Sequence, residues 1–123
     1  MPLYETIFIT RQEISSHDLE KITANFSKTL VDNGGTIVKT EQWGLRDLAY
    51  PIKKSNRAYY TLLGIDSPYT AVKELERRLG LSEDILRFMS VRVKKLSKNP
   101  SAPLAKNNSY NEEAAEANQR QED

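Results

Sequence analysis

The sequence predicts an α+β protein, a four-stranded antiparallel sheet carrying two helices on one face. Three observations carry that expectation. β-Branched and aromatic runs alternate with stretches of helical apolar spacing in the order β-α-β-β-α-β. Start and stop residues bracket both helical stretches. A polar segment, Lys53 to Asn56, makes the turn between the two middle strands.

The first strand is residues 3–10, LYETIFIT, rich in β-branched and aromatic side chains. Ser15 or Ser16 can cap the helix that follows, with Asp18 and Glu20 suitably placed for its first turn. Leu19, Ile22, Phe26 and Leu30 make one apolar stripe, and Asn33-Gly34-Gly35 ends it. No Lys-Ser/Thr pair follows those glycines and no helix begins there, so a phosphate loop is excluded. Thr36 to Tyr50 is a long second strand with a bulge or bend expected at Gly44. Pro51 cannot donate to a ladder and places this strand at a sheet edge. Arg57 to Ile65 is the third strand. Ser67-Pro68 reads as cap and first helical residue of a second helix. Its buried stripe is Val72, Leu75 and Leu79, and Gly80 is its stop. Ile85 to Leu96 is the fourth strand.

Two helices cover only one face of such a sheet, which gives a ferredoxin-like two-layer sandwich over residues 1–98. Right-handed crossovers put strands one and three in the centre and two and four at the edges. The second face is expected to be open, yet its residues are apolar. Ile7 and Ile9 lie opposite Tyr4 and Phe8, Tyr60 and Leu62 opposite Tyr59 and Leu63, and Met89, Val91 and Val93 alternate with Phe88. A solvated face alternates with polar residues. Ile7, Leu62, Met89 and Val91 are therefore expected to form an uncovered apolar strip that meets another protein, because aliphatic side chains suit a protein surface better than nucleic acid.

From Ser97 the chain is Asn-, Ser-, Pro-, Ala- and Glu-rich, and residues 99–123 read as a disordered acidic tail. Leu104 and Tyr110 stand out within it as anchors that could order on a partner. Residues 1–98 hold 16 Lys/Arg against 12 Asp/Glu and residues 99–123 hold 2 against 5, a mildly basic body with an acidic end. Such a body suits a polyanion without requiring one. There is no Cys, hence no disulfide framework and no thiolate metal site. No basic, apolar leader and no membrane-length apolar run occurs, which points to the cytoplasm.

Catalytic and metal sites are expected to be absent. His17 is the sole His, and its neighbours Ser16 and Asp18 point in different directions on a helix. Glu83-Asp84 and Glu112-Glu113 suit a turn and a solvated tail. Small acyl-phosphate phosphatases share this topology and use an Arg after strand one, where Arg11 lies. The loop TRQEISS lacks the glycines that would wrap backbone N–H groups around phosphate. A ligand-binding regulatory domain that oligomerises through its open sheet is a second alternative.

The stretch GLRDLAYPIKKSNRAYY places Arg46, Lys53, Lys54 and Arg57 at the ends and turn of a hairpin, where cations can reach phosphates of folded RNA. Leu48, Tyr50 and Tyr59 are expected to anchor that hairpin to the core, with Tyr60 facing the other way. Arg92, Lys94 and Lys95 form a second basic group. WGLRDLAYPIKK followed by RAYY, with LYET at the start and LRFMSVRV near residue 90, resembles bacterial small-subunit ribosomal protein six over residues 1 to about 98. The resemblance implies a ferredoxin-like fold and a structural, non-catalytic, cofactor-free role in the small ribosomal subunit. It implies binding of ribosomal RNA together with small-subunit ribosomal protein eighteen. The RNA-recognition motif shares the topology, but RAYYTLLGI does not match its strand-three signature.

Overall fold

The computed structural model describes residues 1–96. The tail at 99–123, with Leu104 and Tyr110, lies outside the described residues. The elements are β1 (Leu3–Arg11), α1 (Ser16–Asp32), β2 (Thr36–Ile52), β3 (Ser55–Asp66), α2 (Tyr69–Leu81) and β4 (Ile85–Val93). The sheet order is β2-β3-β1-β4, every pairing antiparallel, so β1 and β3 are central and the Pro51-bearing β2 is an edge.

The local signals of α1 act as its residues dictate. Ser15 is the cap, its Oγ accepting from the Asp18 amide at 3.1 Å. At the other end Gly34 takes φ 97. The Gly35 amide then donates to the Leu30 carbonyl and the Gly34 amide to Val31, the paired bonds of a Schellman stop. α2 starts differently from expectation. Pro68 is the flanking residue, with no side-chain cap, and the Ser67 hydroxyl donates to the Pro68 carbonyl instead of capping the helix. Gly80 is inside α2, which runs one residue further to Leu81.

Beneath the helices, Tyr4, Phe8, Leu63, Ile65 and Ile85 of the sheet pack on Phe26 and Leu30 of α1 and Val72, Leu75 and Leu79 of α2. Phe8 meets Phe26 edge-on at 5.6 Å. Within this layer Thr61 donates to Gln42 at 2.8 Å and Gln42 to Thr23 at 3.1 Å, tying β3, β2 and α1 together, whereas the buried Thr10 hydroxyl has no partner.

The opposite face has its own cluster: Ile7, Ile9, Trp43, Ala58, Tyr60 and Leu62, with Leu48, Leu86 and Met89 packed against it. The expectation of an uncovered strip is thereby corrected. Leu62 is 0% exposed and Ile7 4%, while Met89 and Val91 are half-buried. The register explains the cover. β2 bulges between Gln42 and Gly44, where Gly44 has φ 83, and this brings Trp43 onto the face to stack on Tyr60. After β4 ends at Val93, Leu96 turns back over the same face. A Cβ on Gly64 would lie 2.7 Å from the Lys39 stem and 3.3 Å from Leu96, so the lower end of the sheet is capped by these two side chains.

Candidate nucleic-acid interface

The β2–β3 hairpin outruns its neighbours. β1 stops at Arg11 opposite Ala58, whereas β2 and β3 continue to the Ile52–Ser55 pair. Only two residues close it, Lys53 and Lys54, with φ 49 and φ 68. Positive φ at both central positions is the twist-matched hairpin turn normally made by Asn-Gly. Here it is made by two lysines, at a cost in backbone energy. Both are exposed.

Arg46 lies opposite Ala58 on the open face, and its Nε donates to the Trp43 carbonyl at 3.2 Å. Arg57 is on the hairpin too, but pairs with Asp47 at 3.2 Å, the two side chains being 51% and 81% exposed. An exposed pair of this kind stabilises by about 0.2–1 kcal/mol, little enough for a phosphate to displace. A further cation, Arg87, belongs with this group although the sequence did not single it out. It is exposed on β4 opposite Ile9, which lies in the same cross-strand row as Tyr60. Burial pushes the Tyr60 phenol up, and the charges of Arg87 and Arg46 both oppose that shift. The signal is present in ILRFMSVRV, where Arg87 alternates in phase with Met89 and Val91.

The anchoring expected of three aromatic and aliphatic residues is redistributed. Tyr50 is 78% exposed and anchors nothing. Tyr60, 3% exposed and stacked on Trp43 at 6.1 Å, holds the hairpin base with Leu48. Tyr59, opposite Thr10 and Leu45, is half-buried towards the helices.

The second basic group is remote from the first. Arg92 pairs with Tyr4 and so points to the helix side of edge strand β4, and Lys94 and Lys95 are exposed just past that strand's end. The hairpin leaves the sheet at the Arg11 end and the Lys94–Lys95 pair at the Leu3 end. Nine residues of β1 separate them, about 30 Å at the rise of a strand. The two groups do not make one patch.

Other polar residues are occupied locally. Arg11 donates to Asp84 at 2.8 Å, so it is committed to a carboxylate rather than turned into a phosphate loop. His17 is exposed in the first turn of α1. Among the described residues no cluster of three or more His, Cys, Asp or Glu could hold a metal ion, and no helix is long and apolar enough to cross a membrane.

The arrangement is that of a ferredoxin-like sandwich with a charged hairpin projecting beyond its sheet. A family model described as ribosomal protein S6 matches residues 3–92, and the chain belongs to that family of structural proteins of the small ribosomal subunit. It is 50% identical over 104 residues to small ribosomal subunit protein bS6 of Parvibaculum lavamentivorans, covering 85% of this chain and 67% of that one. It is 42% identical over all its length to the bS6 protein of a Methylobacterium species, covering 92% of that protein. The crystal structure of 30S ribosomal protein S6 from Thermotoga maritima superposes with TM-score 0.72 at 28% identity, covering 75% of this chain and 87% of that one. The C-terminal domain of MgtC from Mycobacterium tuberculosis shares the fold alone, with TM-score 0.54 at 11% identity over 80% of this chain and 95% of that one.

Proposed function

We propose that this chain binds small-subunit ribosomal RNA together with small-subunit ribosomal protein eighteen in the cytoplasmic ribosome. RNA meets the hairpin end and protein meets the rest of the open face. The observation that carries the reading is the convergence of Arg46, Arg87, Lys53 and Lys54 at one end of the sheet, beside a hairpin that projects beyond it. Cations on a projecting ribbon reach phosphates that a flat sheet cannot, and each neutralised phosphate contributes through counterion release. Arg57 joins them by exchanging Asp47 for phosphate. Trp43 and Tyr60 are buried against each other, so they brace this surface and neither ring is open to a base. Arg92, Lys94 and Lys95 serve a second segment of a large folded RNA.

The half-buried Met89 and Val91 are the apolar groups left for protein eighteen, with Ile7 and Leu62 behind them as support. Leu104 and Tyr110 are its proposed anchors from the tail.

The test measures binding of a small-subunit ribosomal RNA fragment, with and without protein eighteen, across a salt series. Replacing Arg46, Arg87, Lys53 and Lys54 by Ala should lower the log–log salt slope by roughly 0.7–0.9 for every phosphate that is no longer neutralised. An unchanged slope in a folded variant would reject the hairpin surface. Truncation after Lys98 should weaken the complex with protein eighteen; equal affinity would remove the tail as an anchor.

A further inference from the structure

The hairpin carries more chain than its two-residue turn requires. β2 and β3 pair at Asp47–Arg57 and again at Ile52–Ser55, so β2 spends Leu48, Ala49, Tyr50 and Pro51 where β3 spends only Asn56. A bulge of this kind re-aims side chains away from the pleat. Leu48 turns inward onto the cluster around Trp43 and Tyr60, while Ala49, Tyr50 and Pro51 are all exposed. The surplus chain therefore presents apolar groups to solvent, where an ordinary loop would carry Gly, Asn, Asp or Ser.

Tyr50 is the large side chain that this bulge presents. At 78% it is the most exposed aromatic residue among the described residues, ahead of Tyr69 at 57%, and it belongs to neither apolar cluster. Core packing makes no use of the ring. Its position is nevertheless constrained. Pro51 confines the residue before it to extended backbone, and a tyrosine has only two side-chain torsions to lose on binding. Lys53 follows three residues later, a span of at most about 11 Å, and both Lys53 and Lys54 are exposed. A free ring face with cations at its side is the composition of a subsite for single-stranded nucleic acid: the ring stacks on a base and the cations take the phosphates.

We propose that Tyr50 stacks on one unpaired base of the RNA that the hairpin meets, with Lys53 and Lys54 on the phosphates beside it. Inside a duplex each base already has a neighbour on both faces, and the major groove of an RNA helix is too deep and narrow for side chains to read. The ligand is therefore RNA with a nucleotide turned out of its helix, at a bulge, loop or junction, and not a continuous duplex. Stacking accepts every base, so Tyr50 selects the shape of the RNA rather than its sequence. A protein occupant fits less well, because lysines are depleted from protein interfaces and two flank this ring. The proposal rests on the reading that the hairpin meets ribosomal RNA, and it adds which part of that RNA the hairpin takes.

The experiment measures binding of a small-subunit ribosomal RNA fragment by the full chain in the presence of protein eighteen, across a salt series. The variants are Tyr50→Leu, Tyr50→Phe and the double change Lys53→Ala with Lys54→Ala, each shown to be folded by circular dichroism. Tyr50→Leu keeps apolar bulk but removes the ring, and should weaken binding roughly five- to 150-fold. Its salt slope should stay at the parental value, because no charge is lost. Tyr50→Phe keeps the ring and should bind as the parent does. Ultraviolet irradiation of the parent complex should join Tyr50 to a base that is unpaired in that RNA. If Tyr50→Leu binds like the parent, stacking is refuted; the hairpin reading then stands or falls separately, on whether the double lysine variant lowers the salt slope. Equal losses in Tyr50→Leu and Tyr50→Phe would assign the effect to the phenol hydroxyl and overturn the proposal. So would a cross-link to a paired base, or weaker association of Tyr50→Leu with protein eighteen when RNA is absent, which would make the ring a protein contact.

Discussion

The turn at the hairpin tip sets stability against charge. Lys53 and Lys54 both hold positive φ, at 49° and 68°, a region that costs a side-chain-bearing L-residue about 1–2 kcal/mol. Asn tolerates it better and glycine takes it without steric penalty. Lys53→Asn with Lys54→Gly should therefore relieve about 2–3 kcal/mol of backbone energy. The added freedom of the unfolded glycine returns roughly 0.5–1 kcal/mol of that. The net expectation is a gain of about 1–2 kcal/mol in chemical denaturation, with an unchanged denaturant slope because no core surface is altered. The same double change deletes two exposed cations, and should lower the salt slope of RNA binding by roughly 1.4–1.8 if each neutralises one phosphate. More stable and less able to bind is the signature of a strained functional turn. A variant that is less stable than the parent would refute the assigned turn geometry, because only a turn with ordinary φ loses by the exchange. A stabilised variant with the parental salt slope would show that the two lysines do not reach RNA.

Three other outcomes follow from the packing and charge of the domain. Leu75, 0% exposed between α2 and the sheet, should cost about 2–5 kcal/mol when replaced by Ala, and a loss under about 1 kcal/mol in denaturant unfolding would contradict its burial. Glu5 has a folded-state pKa above the ordinary value. Its contribution to stability is therefore fully present below pH about 4.5, and is lost as pH rises through the folded value. Glu5→Gln should consequently leave the free protein at least as stable as the parent at neutral pH, and a clear loss there would show that Glu5 is held by a favourable native interaction. Glu74 behaves oppositely: hydrogen bonds from Arg77 and Arg78 hold its carboxyl at about 2. Whatever stability it supplies is present above pH about 4.5 and disappears as pH falls towards 2. In a carboxyl NMR titration Arg77→Ala should move Glu74 back up, and an unmoved titration would discount that bond.

The fold was legible because its signals are local. Ser15, the Asn33-Gly34-Gly35 stop, the bulge at Gly44 and the edge position of Pro51 each follow from what one residue's backbone or side chain can do. Sequence spacing failed where two local rules competed. Ser67-Pro68 fits a cap followed by a first helical residue, but the Ser67 hydroxyl takes the Pro68 carbonyl, and Tyr69 begins the helix. Val93 to Leu96 continues the β-rich run of β4, yet Leu96 gains more by covering Gly64 than by extending an edge strand with no further partner.

The candidate site was legible only in part, because it depends on register. The alternation of ILRFMSVRV assigns Arg87, Met89 and Val91 to one face, but not which residues of the other strands stand beside them. That needs the pairing of β2 with β3, which slips at three places: between Ile37 and Lys39, Gln42 and Gly44, and Asp47 and Ile52. A single slip exchanges the two faces of a strand. The bulge at Gln42–Gly44 brings Trp43 over the aliphatic strip, so side chains that look bare in the sequence are covered. Registering Arg46 with Ala58 and Arg87 with Ile9 puts these distant arginines at one end, while Glu41 and Glu5 fall at the other. Summed along the sequence these charges nearly cancel. Sorted by strand pairing, the two arginines share the hairpin end of one face while Glu41 and Glu5 lie two rows and more away from them, a grouping that only the register reveals.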